Sequence, residues 1–143
     1  MRSRTIPISS ALIVALVASI AFAEPSGGVD VELNRVVPRG DGCRLSFVIR
    51  NGSGSALSSL QLDLVLFDPD GLIVGRTAAE AGPLPAGKTS VKDYDLPDIG
   101  CDALGRILIN DVVRCETAPG EVAGIDCLDA TRPASRARVE LFK

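Results

Sequence analysis

Four cysteines are the side chains of this sequence that are best suited to covalent chemistry. None of them stands in a CxxC pair, and the 143-residue chain has no histidine. The usual ligand patterns of structural zinc, the competing interpretation, are therefore missing. An even number of cysteines in a small chain predicts two disulfides if the chain is exported. These residues are Cys43, Cys101, Cys115 and Cys127.

Side chains that commonly catalyse reactions are scarce. Without histidine, the usual general base of serine and cysteine hydrolases is missing, and paired cysteines would leave no thiol nucleophile. Tyr94 is the one tyrosine and there is no tryptophan, which argues against an aromatic platform for carbohydrates. Paired carboxylates could act in an enzyme, but nothing distinguishes such a pair from surface acids. We therefore predict no catalytic residue and no cofactor.

Aspartates occur in two groups that could hold calcium, because hard cations bind several oxygen ligands from a small region. The alternative is solvated turn aspartates, which favour turns through hydrogen bonds to the backbone. We favour the turn interpretation and predict no metal site. The first group is Asp93, Asp95, Asp98 and Asp102, and the second is Asp68 and Asp70.

The C-terminal segment is locally basic. On a strand, Arg136 and Arg138 would share one face, where an anionic partner could dock. Charged edge strands also prevent edge-to-edge aggregation, and this is the interpretation we favour. The basic residues are Arg132, Arg136, Arg138 and Lys143.

Three further segments invite a functional interpretation. Asn51-Gly52-Ser53 matches a glycosylation sequon, although an Asn-Gly turn is the better explanation. Pro83-Leu84-Pro85 and residues 116–126 have the composition of exposed loops, which commonly carry recognition on rigid scaffolds.

The N-terminus has the three parts of a cleavable signal peptide, residues 1–23. Arg2 and Arg4 precede an apolar run from Ala11 to Ala23, which ends in the small-x-small pattern that signal peptidase cleaves before Glu24. An uncleaved membrane anchor is the alternative, but a spanning helix needs about 20 apolar residues. The features of a lipoprotein and of a twin-arginine signal are absent. We expect a periplasmic or secreted protein.

The net charge of the processed chain limits the kinds of partner that we expect. Removal of Arg2 and Arg4 changes the balance from 15 basic and 18 acidic residues to 13 and 18, a net charge of −5. This balance argues against nucleic acid or an anionic membrane as the main partner. No second apolar run could span a bilayer, so we expect no stable membrane insertion after processing.

The elements that must position these residues are short strands. After a leader at 24–28, residues 29–33 and 43–50 alternate apolar and polar side chains, as half-buried strands do. Residues 60–76 indicate a hairpin, because Asp68-Pro69-Asp70-Gly71 has tight-turn composition.

The second half of the chain is less regular. Pro83 and Pro85 predict a loop at 78–87, followed by a weaker strand at 88–96. Residues 104–115 predict a buried strand whose apolar phase slips near Asn110-Asp111, which indicates a bulge or bend. Residues 116–133 are predicted as a long connection and residues 137–142 as a last strand. About seven short strands predict one all-β sandwich domain over 29–143.

Residues 46–90 resemble the FxLYD type of immunoglobulin-like β-sandwich domains in bacterial exported proteins. The resemblance lies in three segments: Val48-Ile49-Arg50-Asn51 followed by Ser55, Val65 through Gly75, and Pro85-Ala86-Gly87-Lys88. Within the second segment, Leu66-Phe67-Asp68 stands where that type has Leu-Tyr-Asp. The resemblance covers about a third of the chain and implies the immunoglobulin-like fold but no catalytic residue.

The resemblance also implies a disulfide pairing. In a simple immunoglobulin-like fold the second and sixth strands lie in facing sheets, where Cys43 would begin one and Cys101 would precede the other. Cys115 would end the sixth strand and close on Cys127. The implied pairs are Cys43–Cys101 and Cys115–Cys127.

Three functions fit these observations. The first is a non-catalytic binding or accessory module that contacts another protein of the cell envelope or exterior through loops or an open sheet edge. The second is a small inhibitor of an extracellular enzyme, acting through the loop between Cys115 and Cys127. The third is a calcium-binding protein or a carboxylate-based enzyme.

Overall fold

The computed structural model describes residues 27–143. The predicted signal peptide, its cleavage site between Ala23 and Glu24 and most of the predicted leader lie outside these residues. Nine strands and two short helices make up the described part. The strands are β1 (Val29–Arg39), β2 (Gly42–Asn51), β3 (Ser59–Phe67), β4 (Ile73–Glu80), β5 (Thr89–Leu96), β6 (Arg106–Ala118), β7 (Glu121–Val122), β8 (Thr131–Ser135) and β9 (Glu140–Phe142). A 3-10 helix spans Cys101–Ala103 and a short α-helix, α1, spans Cys127–Ala130.

Two sheets form an all-β sandwich, which confirms the predicted fold class. The first sheet has the order β5-β2-β1-β8, and the second has the order β4-β3-β6 with β7 and β9 both paired to β6. The inward side chains of both sheets form one apolar core. The largest fully buried side chain is Phe47 on β2.

The most regular strand is β2, as its alternation predicts. Its buried and half-buried positions alternate along almost the whole length. It pairs antiparallel with β1 on one side and with β5 on the other. Cys43, Leu45, Phe47 and Ile49 all point into the core.

The predicted hairpin is formed by β3 and β4. Asp68 Oδ1 accepts hydrogen bonds from the amides of Asp70 and Leu72 at 3.0 and 2.8 Å. Gly71 has φ of +86°, a value that disfavours side chains with a Cβ atom. The turn therefore depends on the side chain of Asp68 and the freedom of Gly71.

The predicted irregularity near Asn110 is a β-bulge, and β6 has a second one at Val113. Along β3, the partners of Asp63 and Leu64 are Asp111 and Ile109, which skips Asn110. The partners of Gln61 and Leu62 are Arg114 and Val112, which skips Val113. Bulges of this kind bend a strand and change where its side chains point.

Several boundaries differ from the sequence prediction. Strand β1 runs to Arg39, beyond the predicted end at residue 33. Strand β4 runs to Glu80, into the predicted loop at 78–87. The predicted connection at 116–133 contains the end of β6, all of β7 and α1, and the start of β8, which pairs parallel with β1. The last strand begins at Glu140, not at residue 137. Strands β7, β8 and β9 are too short to show a clear alternation of apolar and polar residues, so the sequence does not define their ends.

Candidate functional site

The two disulfides have the pairing that the resemblance implied. Cys43 at the start of β2 bonds to Cys101 in the 3-10 helix before β6, with the Cα atoms 4.9 Å apart. Cys115 near the end of β6 bonds to Cys127 in α1, with the Cα atoms 6.5 Å apart. Cys43, Cys101 and Cys127 belong to the buried core, and Cys115 is half-buried against it.

The four aspartates of the first predicted group do not form a metal site. Asp95 accepts two hydrogen bonds from Arg44, at 2.6 and 2.8 Å, and this contact lowers the pKa of Asp95. Asp102 forms a salt bridge with Arg138. No group of three acidic or thiol side chains between residues 27 and 143 could hold a metal ion. Asp68 of the second group supports its own turn, as favoured above.

The basic residues near the C-terminus bind the chain itself. Arg132 bonds to Asp30 and Arg136 to Glu32, at 2.8 and 2.9 Å. Arg138 donates to the carbonyls of Cys101 and Leu104. Arg136 and Arg138 precede β9, so the prediction that they share a strand face is wrong. The chain turns there because it crosses from the first sheet to the second.

Lys143, the fourth of these basic residues, contacts the end of α1. Its Nζ atom donates to the carbonyl oxygens of Leu128 and Asp129, at 2.8 and 3.0 Å. A cation is favourable beside the last carbonyls of a helix, which otherwise lack partners. The contact holds the end of the chain against α1.

Asn51 has a conformational role in its turn. It is fully buried, and its Nδ2 atom donates to the carbonyls of Ser55 and Leu84 at 2.8 and 2.9 Å. Its Oδ1 atom accepts from the amide and hydroxyl of Ser53. Pro83-Leu84-Pro85 is a loop, as predicted, whose two prolines are exposed while Leu84 between them is fully buried.

The strongest candidate site is a trough along one edge of β6. On the side away from β3, β9 pairs with residues 106–108 and β7 pairs with Glu116 and Ala118. The amide of Ala123 adds a bond to the carbonyl of Cys115. Within residues 27–143, no strand pairs with residues 109–114 on that side. Six residues of strand span about 20 Å, so the edge is open over that length.

Two adjoining cavities, of about 380 and 360 Å³, follow this open edge. We call them together the β6 trough. Ligand pockets of proteins commonly measure about 300 to 1,000 Å³. The trough is lined by residues 108–116 of β6, by Val122, by residues 125–129 and by Lys143.

Three exposed apolar side chains line the trough, and three others lie at residues 72–74 of the β3–β4 hairpin. Val113, Ile125 and Val122 are exposed by 54%, 42% and 84%, and Leu128 is half-buried between the two cavities. Large apolar side chains that lie together at a surface mark interaction sites. The Cys115–Cys127 bond fixes one wall of the trough to the other.

Comparisons with known proteins support the fold and go no further. No family model matches this chain, and no curated protein matches it. The solved structure of IrmA from Escherichia coli is similar, with a TM-score of 0.55 at 16% sequence identity. The similarity covers 74% of this chain and 90% of IrmA. At this identity the similarity shows a shared fold alone.

Two structural findings bear on location. Both disulfides indicate an oxidising compartment outside the cytoplasm. Between residues 27 and 143, no helix is both long and apolar enough to cross a membrane.

Sequence reasoning did not locate the trough. It indicated one landmark, the slip in phase near Asn110, and placed residues 116–126 in a recognition loop. It did not show that β7 and β9 both pair with β6 and leave a gap between them. The gap is bounded by β7 and β9, which are separate segments of the chain.

Proposed function

We propose that this protein is an exported, non-catalytic binding module that receives an extended segment of another protein in the β6 trough. The observation that carries the proposal is the open edge of residues 109–114, between β9 and β7. An extended guest there would add a strand to the second sheet, a common mode of peptide recognition. The partner would be a protein of the cell envelope or exterior.

Physical chemistry favours this mode of binding at this edge. An open strand presents backbone donors and acceptors in a row, and each hydrogen bond gained contributes about 0.5 to 1.5 kcal/mol. The apolar side chains of Val113, Ile125 and Leu128 would cover part of the guest. Because the Cys115–Cys127 bond already fixes the wall, less ordering is needed on binding.

The composition of the chain supports the non-catalytic part of the proposal. The chain has no histidine, and its four cysteines are all in disulfides. The predicted signal peptide and the two disulfides support a periplasmic or secreted location. Kinship with FxLYD-type domains is also a proposal, and it rests on the strand and turn motifs of residues 46–90.

Hydrogen exchange of the disulfide-bonded protein tests strand addition. The probes are three capped hexapeptides in which valine alternates with lysine, glutamine or glutamate. At least one should slow the exchange of backbone amides within residues 109–114. If none of the three protects these amides at millimolar concentration, strand addition at this edge is wrong. A dimer that protects them without any peptide would identify a second copy as the occupant and would also overturn the proposal.

Matched variants locate the binding. Val113→Ala with Ile125→Ala should weaken the best peptide about three- to ten-fold, because each change removes apolar area that the guest would cover. Val91→Ala is the control, since Val91 is an exposed valine on β5, the edge strand of the other sheet. Equal loss in both proteins would place the peptide elsewhere.

A second candidate function is inhibition of an extracellular enzyme by the segment between Cys115 and Cys127. One observation favours it: Val122, on the short hairpin of β6 and β7, is 84% exposed. A panel of extracellular proteases and glycosidases tests it. Inhibition that Val122→Asp abolishes would support it, and no inhibition across the panel would count against it.

A further inference from the structure

Charged side chains line the trough, and acids outnumber bases among them. Six charged side chains line it, four acidic and two basic: Asp111, Arg114, Glu116, Asp126, Asp129 and Lys143. None of them forms a salt bridge with another residue of the described part. The Nζ atom of Lys143 donates to two carbonyls of α1, so one of the two cations already has partners.

Four carboxylates on the strands outside the trough are neutralised by arginines of the chain. Asp63 on β3 bonds to Arg76 on β4, and Asp95 on β5 bonds to Arg44 on β2. Asp30 and Glu32 on β1 bond to arginines of the C-terminal segment. The chain supplies these acids with arginines of its own, but it supplies none to Glu116 or Asp129.

The trough acids lie along its length. Asp111 and Glu116 are on β6, while Asp126 and Asp129 are on the facing wall. Apolar Val113 and Leu128 lie between them. No three acidic side chains of residues 27–143 come together as ligands for one metal ion. Charges spread in this way complement a partner with several separate cations better than a single ion.

We propose that the segment bound in the β6 trough is a basic, apolar strand of about six residues, in which lysine or arginine alternates with aliphatic side chains. This inference rests on the proposed function and adds the chemistry of the partner. Alternate side chains of an extended guest point to opposite sides. The aliphatic ones would contact Val113, Ile125 and Leu128, and the cations would reach Asp111, Glu116 and Asp129.

The same peptide panel tests this chemistry by affinity. The lysine–valine peptide should bind at least about ten-fold tighter than the glutamate–valine peptide at low salt, with the glutamine–valine peptide between them. Its affinity should fall as salt rises, because exposed charges are screened over about 10 Å at 0.1 M salt. Equal or reversed affinities overturn this inference but leave strand addition standing. Binding by none of the peptides overturns the proposed function as well.

Charge-neutral variants assign the effect to the trough. Glu116→Gln with Asp129→Asn should weaken the lysine–valine peptide about three- to ten-fold, as expected for two partly exposed ion pairs. The same change should leave the glutamine–valine peptide almost unaffected. Asp93→Asn is the control, because Asp93 is an exposed aspartate on the edge strand β5. If Asp93→Asn weakens binding as much, the attraction comes from net charge and the inference is wrong.

Discussion

The two central strands of the sandwich, β2 and β6, differ in almost every structural respect. Strand β2 is paired on both sides over nearly its whole length, and its side chains alternate without interruption. Strand β6 has two bulges and an open stretch between β9 and β7. One strand therefore builds the core, and the other combines a core segment with a surface able to accept a further strand.

Under the proposed function, this difference separates stability from recognition within one small domain. A fully paired strand has no backbone groups left for a partner, whereas an open edge exposes them. The first half of β6 still contributes Ile107 and Ile109 to the core, which anchors the open half. The predictions below test this division, from the largest expected effect to the smallest.

Loss of packing should be far more costly on β2 than on β6. Phe47→Ala should lower the free energy of unfolding by about 3 to 5 kcal/mol, because it leaves a cavity at the centre of the core. Val113→Ala, at the exposed bulge of β6, should cost less than about 0.5 kcal/mol. Urea unfolding at neutral pH measures both. Similar losses at the two positions would contradict the division.

The two disulfides should also differ in their contribution to stability, with the bond on β2 contributing more than the bond on β6. By the chain-entropy model, the bond that closes the longer loop, Cys43–Cys101, contributes about 4 kcal/mol, and Cys115–Cys127 about 3 kcal/mol. Replacing Cys43 and Cys101 with alanine should therefore cause the larger fall in the unfolding midpoint. Replacing Cys115 and Cys127 should also speed proteolysis within residues 116–126. A larger loss of stability from the second pair would reverse the comparison.

The sequence was informative where structure is local. Alternation identified β2, and Asp68 with Gly71 identified the hairpin of β3 and β4. It was less informative where pairing is distant: β8 contains Pro133, which fits an edge strand, and its partner β1 lies about a hundred residues earlier in the chain. The trough was not predictable, because no residue pattern encodes a missing neighbour.

A polar contact anchors the first bulge of β6, and it should make stability depend on pH. Asp63 on β3 is nearly buried; it bonds to Arg76, and the Nδ2 atom of Asn110 donates to it at 2.7 Å. The hydrogen bond with Arg76 is the main reason why the pKa of Asp63 is lowered. A lowered pKa contributes stability above the unfolded value, about 3.9, and this contribution disappears as pH falls through the folded value.

Variants of this contact test its role. Asp63→Asn should cost about 1 to 2 kcal/mol at neutral pH and should flatten the loss of stability below about pH 4. Asn110→Ala should have a smaller effect in the same direction. Asp95→Asn is the comparison, because Asp95 is more exposed in its pair with Arg44, and its effect should be smaller. If Asp63→Asn leaves the loss of stability at acidic pH unchanged, the ionised form of Asp63 does not stabilise the contact at the bulge.

The last prediction concerns the protein without any substitution, so its stability is unchanged. In antiparallel sheets the amides of one strand point alternately to its two neighbours. Amides of residues 109–114 that point into the trough have no strand to bond to, so they should exchange rapidly. The amide of Val112 is an exception, because it donates to the Asp111 side chain at 2.7 Å. The amides of residues 44–49 on β2 bond to β1 or β5 and should open only with global unfolding. Residue-resolved hydrogen exchange measures both, and uniformly slow exchange along β6 would show that its edge is closed.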